Sequence, residues 1–304
     1  MNSVNFSLFL NKPYHIQALH KKMLAQSGDK QFRLSNRFEK EGNFAELREF
    51  DFSGVDCKTI TNNQKENVET LFSSFRELKF KPEWRLVLGL GGASVFDTDI
   101  TLHHIYGVPY IPASSIKGVV RSWIIETVFD TDEAEAIKCK AFCDLFGCSK
   151  EHEIHTRGED GKVRKNKHLS WYGEQYKGKN IDFYESKGKI IFFDALPTSS
   201  EDIHISMDIM NVHYKDYYDS KEQTNGAYKE DEVKPPADWS NPTIINFLTV
   251  KNTPFQFLLA SKDDSLNELK IDNKAIDAWL TEALTHHGIG AKTAVGYGYF
   301  KPNT

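Results

Sequence analysis

The chain has 304 residues, of which 39% are hydrophobic and 27% charged, with a formal net charge of −5 and a pI near 6.1. That balance belongs to a folded globular protein large enough for one big domain or two ordinary ones, and it excludes a globally basic nucleic-acid binder, so any nucleic-acid contact must come from a local basic strip. No apolar run approaches the roughly 18 residues that span a bilayer, and the opening "MNSVNFSLFLNKPYHI" has neither the basic start nor the small-residue cleavage site of a secretory signal, which implies a cytoplasmic protein with no membrane partner.

In chain order, residues 1–80 read as a helical N-terminal extension, through "YHIQALHKKMLAQ", "NRFEKEGNFAELREF" and "NQKENVETLFSSFRELKF". At Pro82 the pattern changes. "EWRLVLGLGG" places Trp84, Leu86, Leu88 and Leu90 on one strand face and ends on glycines. A turn-rich stretch follows, in which Pro109 and Pro112 enforce an extended path. The next segment, 114–129, is a helix: Ile116, Val119, Val120, Trp123, Ile124 and Val128 form one apolar stripe, and Ser114 stands at the N-cap position.

Three of the four cysteines fall in "CKAFCDLFGC", with His152 and His155 beyond. The spacing matches no common zinc finger, and reduced structural thiols are the plainer reading, so no metal or other cofactor is expected. Residues 150–188 read as a polar, lysine-rich insertion. "GKIIFFDALP" is a buried strand, and "IHISMDIMNV" alternates as a half-buried one. A second insertion, charged and near 213–243, precedes the strands "IINFLTV" and "FQFLLAS". The last helix carries Ile276, Trp279, Leu280, Ala283 and Leu284 on its apolar face, Gly288 follows as a left-handed cap, and "YGYF" alternates as a short strand.

This β, α, β, β, α, β order predicts an α+β fold, a ferredoxin-like layer over 81–304 elaborated by the two insertions. The C-terminal "HHGIGAKTAVGYGYF" is not a phosphate loop of the Walker type. Ala291 separates Gly290 from Lys292, and the order is helix, loop, strand rather than strand, loop, helix.

Two places carry anion-binding chemistry. Lys117 sits in the first turn of its helix, where a cation opposes the helix dipole, with Arg121 one turn on and Gly118 between them. A phosphate held by Ser114, Ser115, Lys117, Gly118 and Arg121 would account for all five residues; a solvated polar face with a helix-packing glycine is the alternative. In the C-terminal loop, glycines let a nucleic-acid backbone approach main-chain amides, Lys292 can meet phosphate, and Tyr297 offers a stacking face. The two places are expected to share one strip.

"YGVPYIPASSIKGVVRSW", "GKIIFFDALP", "DIMNVHYKDYY" and "GIGAKTAVGYGYF", in that order over residues 84–301, resemble the RAMP superfamily of CRISPR effector proteins, and within it the subunit-six family of type III-B Cmr complexes. The resemblance implies a modified RRM-like fold and a non-catalytic structural subunit for antiviral defence, capping the backbone filament near the 3′ end of a guide RNA. It implies that Ser115, Lys117, Gly118, Arg121, Gly290, Lys292 and Thr293 line the guide-RNA contact. Its partners would be guide CRISPR RNA, target RNA through the assembled complex, the repeated backbone subunit, the adjacent terminal RAMP subunit and a small helical subunit. Related backbone subunits cut target RNA with an aspartate after the first strand, and here "SVFDTDITLHH" holds Asp97 and Asp99 beside His103 and His104. A metal-dependent endoribonuclease built on Asp97 and Asp99 is therefore the alternative; acidic turn residues are the plainer reading. His213, His286 and His287 are read as contacts to RNA or neighbouring chains, or as helix-end caps, before general acid–base groups.

Overall fold

The computed structural model describes residues 5–11, 51–92, 98–157, 163–175, 177, 185–212 and 243–303. The expected helices at 14–26 and 36–50, the charged insertion near 213–243 with His213, and Asp97 all lie outside these residues.

After a short helix, α1 (Phe6–Asn11), the chain forms α2 (Cys57–Leu71), whose start is fixed by Asp56. Its carboxylate accepts from the Thr59 N–H at 3.0 Å and the Thr59 hydroxyl at 2.6 Å. Here the helical reading of 63–80 fails: α2 stops at Leu71, and Ser74–Pro82 is a nine-residue strand, β1. The strand expected over 83–92 shrinks to β2 (Arg85–Leu86), which pairs with Lys251 and Val250.

The long helix comes next as α3 (Ala113–Val128), burying Ile116, Val120 and Ile124 at every fourth position. Its cap is Pro112, not Ser114, which is exposed within the first turn. A one-turn helix (Glu133–Ala136) and α4 (Lys140–Phe146) follow. The first insertion is more ordered than its composition suggests. β3 (Gly147–Ser149) pairs with β6 (Glu185–Lys187), and β4 (Glu151–Arg157) pairs with β5 (Val163–Leu169) as a separate ribbon.

The single strand expected in "GKIIFFDALP" divides into β7 (Ile190–Phe192) and β8 (Leu196–Pro197), while β9 (His204–Val212), β10 (Thr243–Lys251) and β11 (Phe255–Ser261) fall where strands are expected. The last helix is α5 (Ile276–Glu282), continued by a π-helical turn over Ala283–His287. A 3₁₀ turn at Thr293–Val295 precedes β12 (Phe300–Pro302), so the final strand is shorter and later than "YGYF".

The main sheet runs β12-β1-β11-β7, with β8 also on β11, and every pairing in it is antiparallel. A second sheet, β2-β10-β9, is likewise antiparallel. The molecule is thus a mixed α/β protein built on antiparallel sheets.

One face of the main sheet presents Leu78, Phe80, Phe257, Leu259 and Phe300 to Ile116, Val120, Ile124, Trp279, Leu280 and Leu284 of α3, α5 and the π-helical turn behind it. On the other face Val68 of α2 packs with Leu258 and Ala260. Gln256, buried there, donates to the Thr61 carbonyl at 3.0 Å. α2 therefore covers part of the face that α3 and α5 leave open.

Phe257, 1% exposed and edge-on to both Phe80 and Phe300, is the keystone of the first face. Phe257→Ala is expected to lower the unfolding free energy by about 3–5 kcal/mol, read as a lower midpoint at unchanged slope in urea denaturation.

Candidate nucleic-acid interface

The C-terminal loop is built against the main chain of residues 85–88. Ala291 N–H donates to the Val87 carbonyl at 2.8 Å, Gly298 N–H to the Arg85 carbonyl at 2.8 Å, and Ile289 N–H to the Gly298 carbonyl at 2.9 Å. Such close approach sets the glycines. At Gly290, φ +97°, a Cβ would stand 2.3 Å from the Val87 oxygen; at Gly298, φ +78°, one would stand 2.0 Å from the Ile289 oxygen. These two glycines serve packing within the chain, and the amides at 289, 291 and 298 are committed to it.

Donors remain further along. Lys292 adopts the left-handed conformation, φ 62° and ψ 30°, immediately before the 3₁₀ turn at Thr293. Among the described residues the amides of Lys292, Thr293 and Ala294 have no acceptor. Successive free N–H groups around such a left-to-right-handed change form an anion-binding concavity. The Lys292 ammonium lies 5.4 Å from the Phe247 ring centroid and has no carboxylate partner among the described residues.

The aromatic roles differ from the sequence reading. Tyr297 is 6% exposed; its hydroxyl donates to Asp208 Oδ2 at 2.8 Å, and its ring lies 5.9 Å from Phe247 and 4.7 Å from Trp84. It fastens the loop and offers no open face. Trp84, expected on one strand face with Leu86, Leu88 and Leu90, is 46% exposed on top of Tyr297. Arg85 completes the group, paired with Asp208 at 2.6 Å and 5.4 Å from the Trp84 centroid.

The start of α3 also differs. Ala113 N–H donates to Asp194 Oδ1 at 2.7 Å, and the Ser115 and Ile116 amides both donate to the Pro112 carbonyl. A carboxylate already occupies the place where a phosphate was expected. Arg121 pairs with Glu133 and lies 5.2 Å from the Phe142 centroid, which holds it inward. Lys117 is different: burial and the Arg121 charge hold its ammonium below the usual lysine range, and among the described residues it has no carboxylate partner. Beside it, a Cβ on Gly118 would meet nothing within 4 Å. Helix packing therefore does not require that glycine, which leaves an exposed notch next to a lysine.

Among the described residues no hydrogen bond or ion pair joins Ser115, Lys117 or Arg121 to residues 290–297. Helix and loop meet instead through Trp123, whose ring lies 6.2 Å from His286 and 5.7 Å from His287, and through His287 Nδ1, 3.2 Å from Glu126. The histidines thus act at the junction of α3 with the π-helical turn.

Asp99 is half-buried, and burial raises its carboxyl. His103 stacks on Tyr106 at 4.6 Å, with burial lowering its imidazole against the pull of Asp194. All four cysteines are free thiols. The neighbouring Cys143, His152 and Ser170 hold the Cys148 thiol below its usual range despite burial, while Cys143, whose Sγ lies 3.0 Å from the Ile137 carbonyl oxygen, is pushed up. Among the described residues no group of three or more His, Cys, Asp or Glu is placed to hold a metal ion, and no helix is long and apolar enough to cross a membrane.

Comparison with known proteins bears on this geometry. The RAMP superfamily pattern matches residues 85–301. The CRISPR system Cmr subunit Cmr6 of Pyrococcus furiosus is 32% identical over 335 aligned residues, which cover 98% of this chain and 94% of that protein. The CMR subunit Cmr6 of Saccharolobus solfataricus is 23% identical, covering 84% of this chain and 67% of that one. A chain in the cryo-EM structure of the type III-B Cmr-beta complex bound to cognate target RNA shares the fold, with a TM-score of 0.54 at 19% identity over 99% of this chain and 86% of that chain.

Burial and the neighbouring Asp208 push the Tyr297 hydroxyl up to about 12 from 10.0. The folded state keeps this proton where the unfolded state has lost it, so the contribution is complete below pH 10 and is lost as pH rises from 10 to 12. Tyr297→Phe should flatten that part of the stability–pH curve, measured by urea unfolding at pH 9 and pH 11.5.

Proposed function

The chain belongs to the RAMP superfamily and is a homologue of Cmr6, and from that premise we propose that it is a non-catalytic structural subunit of a type III-B CRISPR effector complex. In this reading it caps the backbone filament near the 3′ end of guide CRISPR RNA in the cytoplasm and meets target RNA through the assembled complex. Its protein neighbours are the repeated backbone subunit, the adjacent terminal RAMP subunit and a small helical subunit. The observation that carries the assignment is similarity to a Cmr6 subunit across 98% of the chain.

The core is read as a ferredoxin-like layer. In chain order β1, β7, β11 and β12 are the four strands, with α3 after the first and α5 after the third, and the spatial order fourth, first, third, second supports that reading. The N-terminal segment before β1 and the insertions near 150–188 and 213–243 elaborate it.

Guide RNA is gripped through its phosphates. The free amides at 292–294 and the Lys292 ammonium form one contact, with Gly290 and Thr293 shaping the turn; Lys117 and the open surface at Gly118, flanked by Ser114 and Ser115, form the other. Arg121 supports the second contact through Glu133 and Tyr297 holds the first in place through Asp208, while His213 is read as an RNA contact from its sequence context alone.

The contact should be salt-sensitive, with a log–log slope near −0.7 for each phosphate neutralised on a single strand. Lys117→Ala combined with Lys292→Ala is expected to weaken guide binding and to reduce the slope by about 1.4. Wild-type affinity and slope in the double variant, measured by fluorescence anisotropy from 50 to 300 mM salt, would remove both lysines from the contact. The non-catalytic role is tested separately: labelled guide and target RNA should survive Mg²⁺ and Mn²⁺ intact. Cleavage abolished by Asp97→Ala or Asp99→Ala would establish the nuclease reading instead.

A further inference from the structure

Trp84 has no role in holding the core, yet it is fixed in place. Its ring lies 4.7 Å from Tyr297 at an interplanar angle of 41°, and the Arg85 guanidinium lies 5.4 Å from its centroid. Both supports are themselves anchored, because Tyr297 and Arg85 converge on Asp208 at 2.8 and 2.6 Å. The indole nonetheless remains 46% exposed. A large aromatic ring held by a salt-bridged network and left open to solvent is a preorganised surface for a flat apolar group.

Its surroundings narrow the choice of that group. Tyr297 N–H reaches the Lys292 carbonyl at 3.4 Å, so the residue beneath the indole is bonded to the turn that carries the free amides and the Lys292 ammonium. Val295, 64% exposed, lies in the same turn. Anion donors and an aromatic face are thus presented by one short stretch of structure, which matches the two halves of a nucleotide: phosphate on the amides, base on the ring. A protein side chain would use the ring but leave the amides and the lysine unanswered.

We propose that Trp84 is a base-stacking platform for a single-stranded segment of RNA whose phosphate lies on the Lys292–Ala294 turn. This rests on the RNA-binding reading above and adds a base contact to it. Stacking is tolerant of base identity because every base has a π face, so the platform gives affinity and register without sequence preference.

The test uses the full-length chain and two fluorescent probes, a single-stranded oligouridine and an abasic ribose-phosphate strand of the same length. Trp84→Ala should weaken oligouridine binding about tenfold, leave abasic-strand affinity unchanged, and leave the salt slope of both at wild-type values. Trp84→Phe should retain most of the affinity. Trp84→Leu, which keeps an apolar cover over Tyr297 without a π face, should resemble the alanine variant and decides the matter should that one fold poorly. Equal losses on both probes, or leucine binding as well as phenylalanine, would overturn the proposal in favour of a packing role. Unchanged RNA affinity combined with loss of a co-purifying protein subunit would overturn it in favour of a protein contact. Failure of the lysine double variant, with the Trp84 pattern intact, would strike the phosphate contacts and not the platform.

Discussion

Between the bonds from Ala291 to Val87 and from Gly298 to Arg85, two stretches of main chain lie too close for any side chain to enter. The rest of the candidate interface depends on that seam. It turns the chain so that Lys292 takes a left-handed conformation, leaves three successive amides without acceptors among the described residues, and seats Tyr297 where its hydroxyl reaches Asp208. A non-glycine residue at 290 or 298 would meet both a forbidden φ and a carbonyl oxygen, so the loop's shape is set by exclusion more than by attraction. Apolar burial alone could not specify it. Phe247 and Val87 supply a small hydrophobic base, but the outward direction of the free donors comes from the backbone geometry.

The charged groups divide by the same logic. Arg121 and Arg85 are both committed, one to Glu133 and one to Asp208, and both lie against aromatic rings. Among the described residues the lysines at 117 and 292 have no carboxylate partner, and Lys292 lies only against the Phe247 ring. A guanidinium paired with a carboxylate orders its surroundings, whereas an unpaired ammonium keeps its field available to an incoming anion. At the start of α3 the Asp194 carboxylate quenches the helix's own positive end, which leaves the lysine as the cation that faces outward there.

Much of the architecture was legible in the sequence because the signals were periodic. Alternation marks β9, the apolar runs "IINFLTV" and "FQFLLAS" mark β10 and β11, and the four-residue spacing of Ile116, Val120 and Ile124 marks α3. β1 was missed for a physical reason. Val68, Leu71, Phe72, Phe75 and Leu78 continue a helical spacing across the real helix end, and only pairing with β11 turns residues 74–82 into a strand. That error sets the first strand nine residues too late, at 83 instead of 74. Alternation carried on to Leu90 puts Trp84 on one strand face with Leu86, but β2 ends at Leu86 and Trp84 is 46% exposed. Tyr297 was placed outward because no local pattern announces an aspartate 89 positions away. The Asp194 cap on α3 was invisible for the same reason: its bond spans 81 positions.

Gly118 has a different kind of consequence. Inside an exposed helix it lowers stability by roughly 1 kcal/mol relative to alanine, and no neighbour in the chain would object to the larger residue. A sequence optimised for the free chain would not keep it. Gly118→Ala would therefore stabilise the free chain, and under the RNA contact proposed at Lys117 that gain would be set against the open surface beside the lysine.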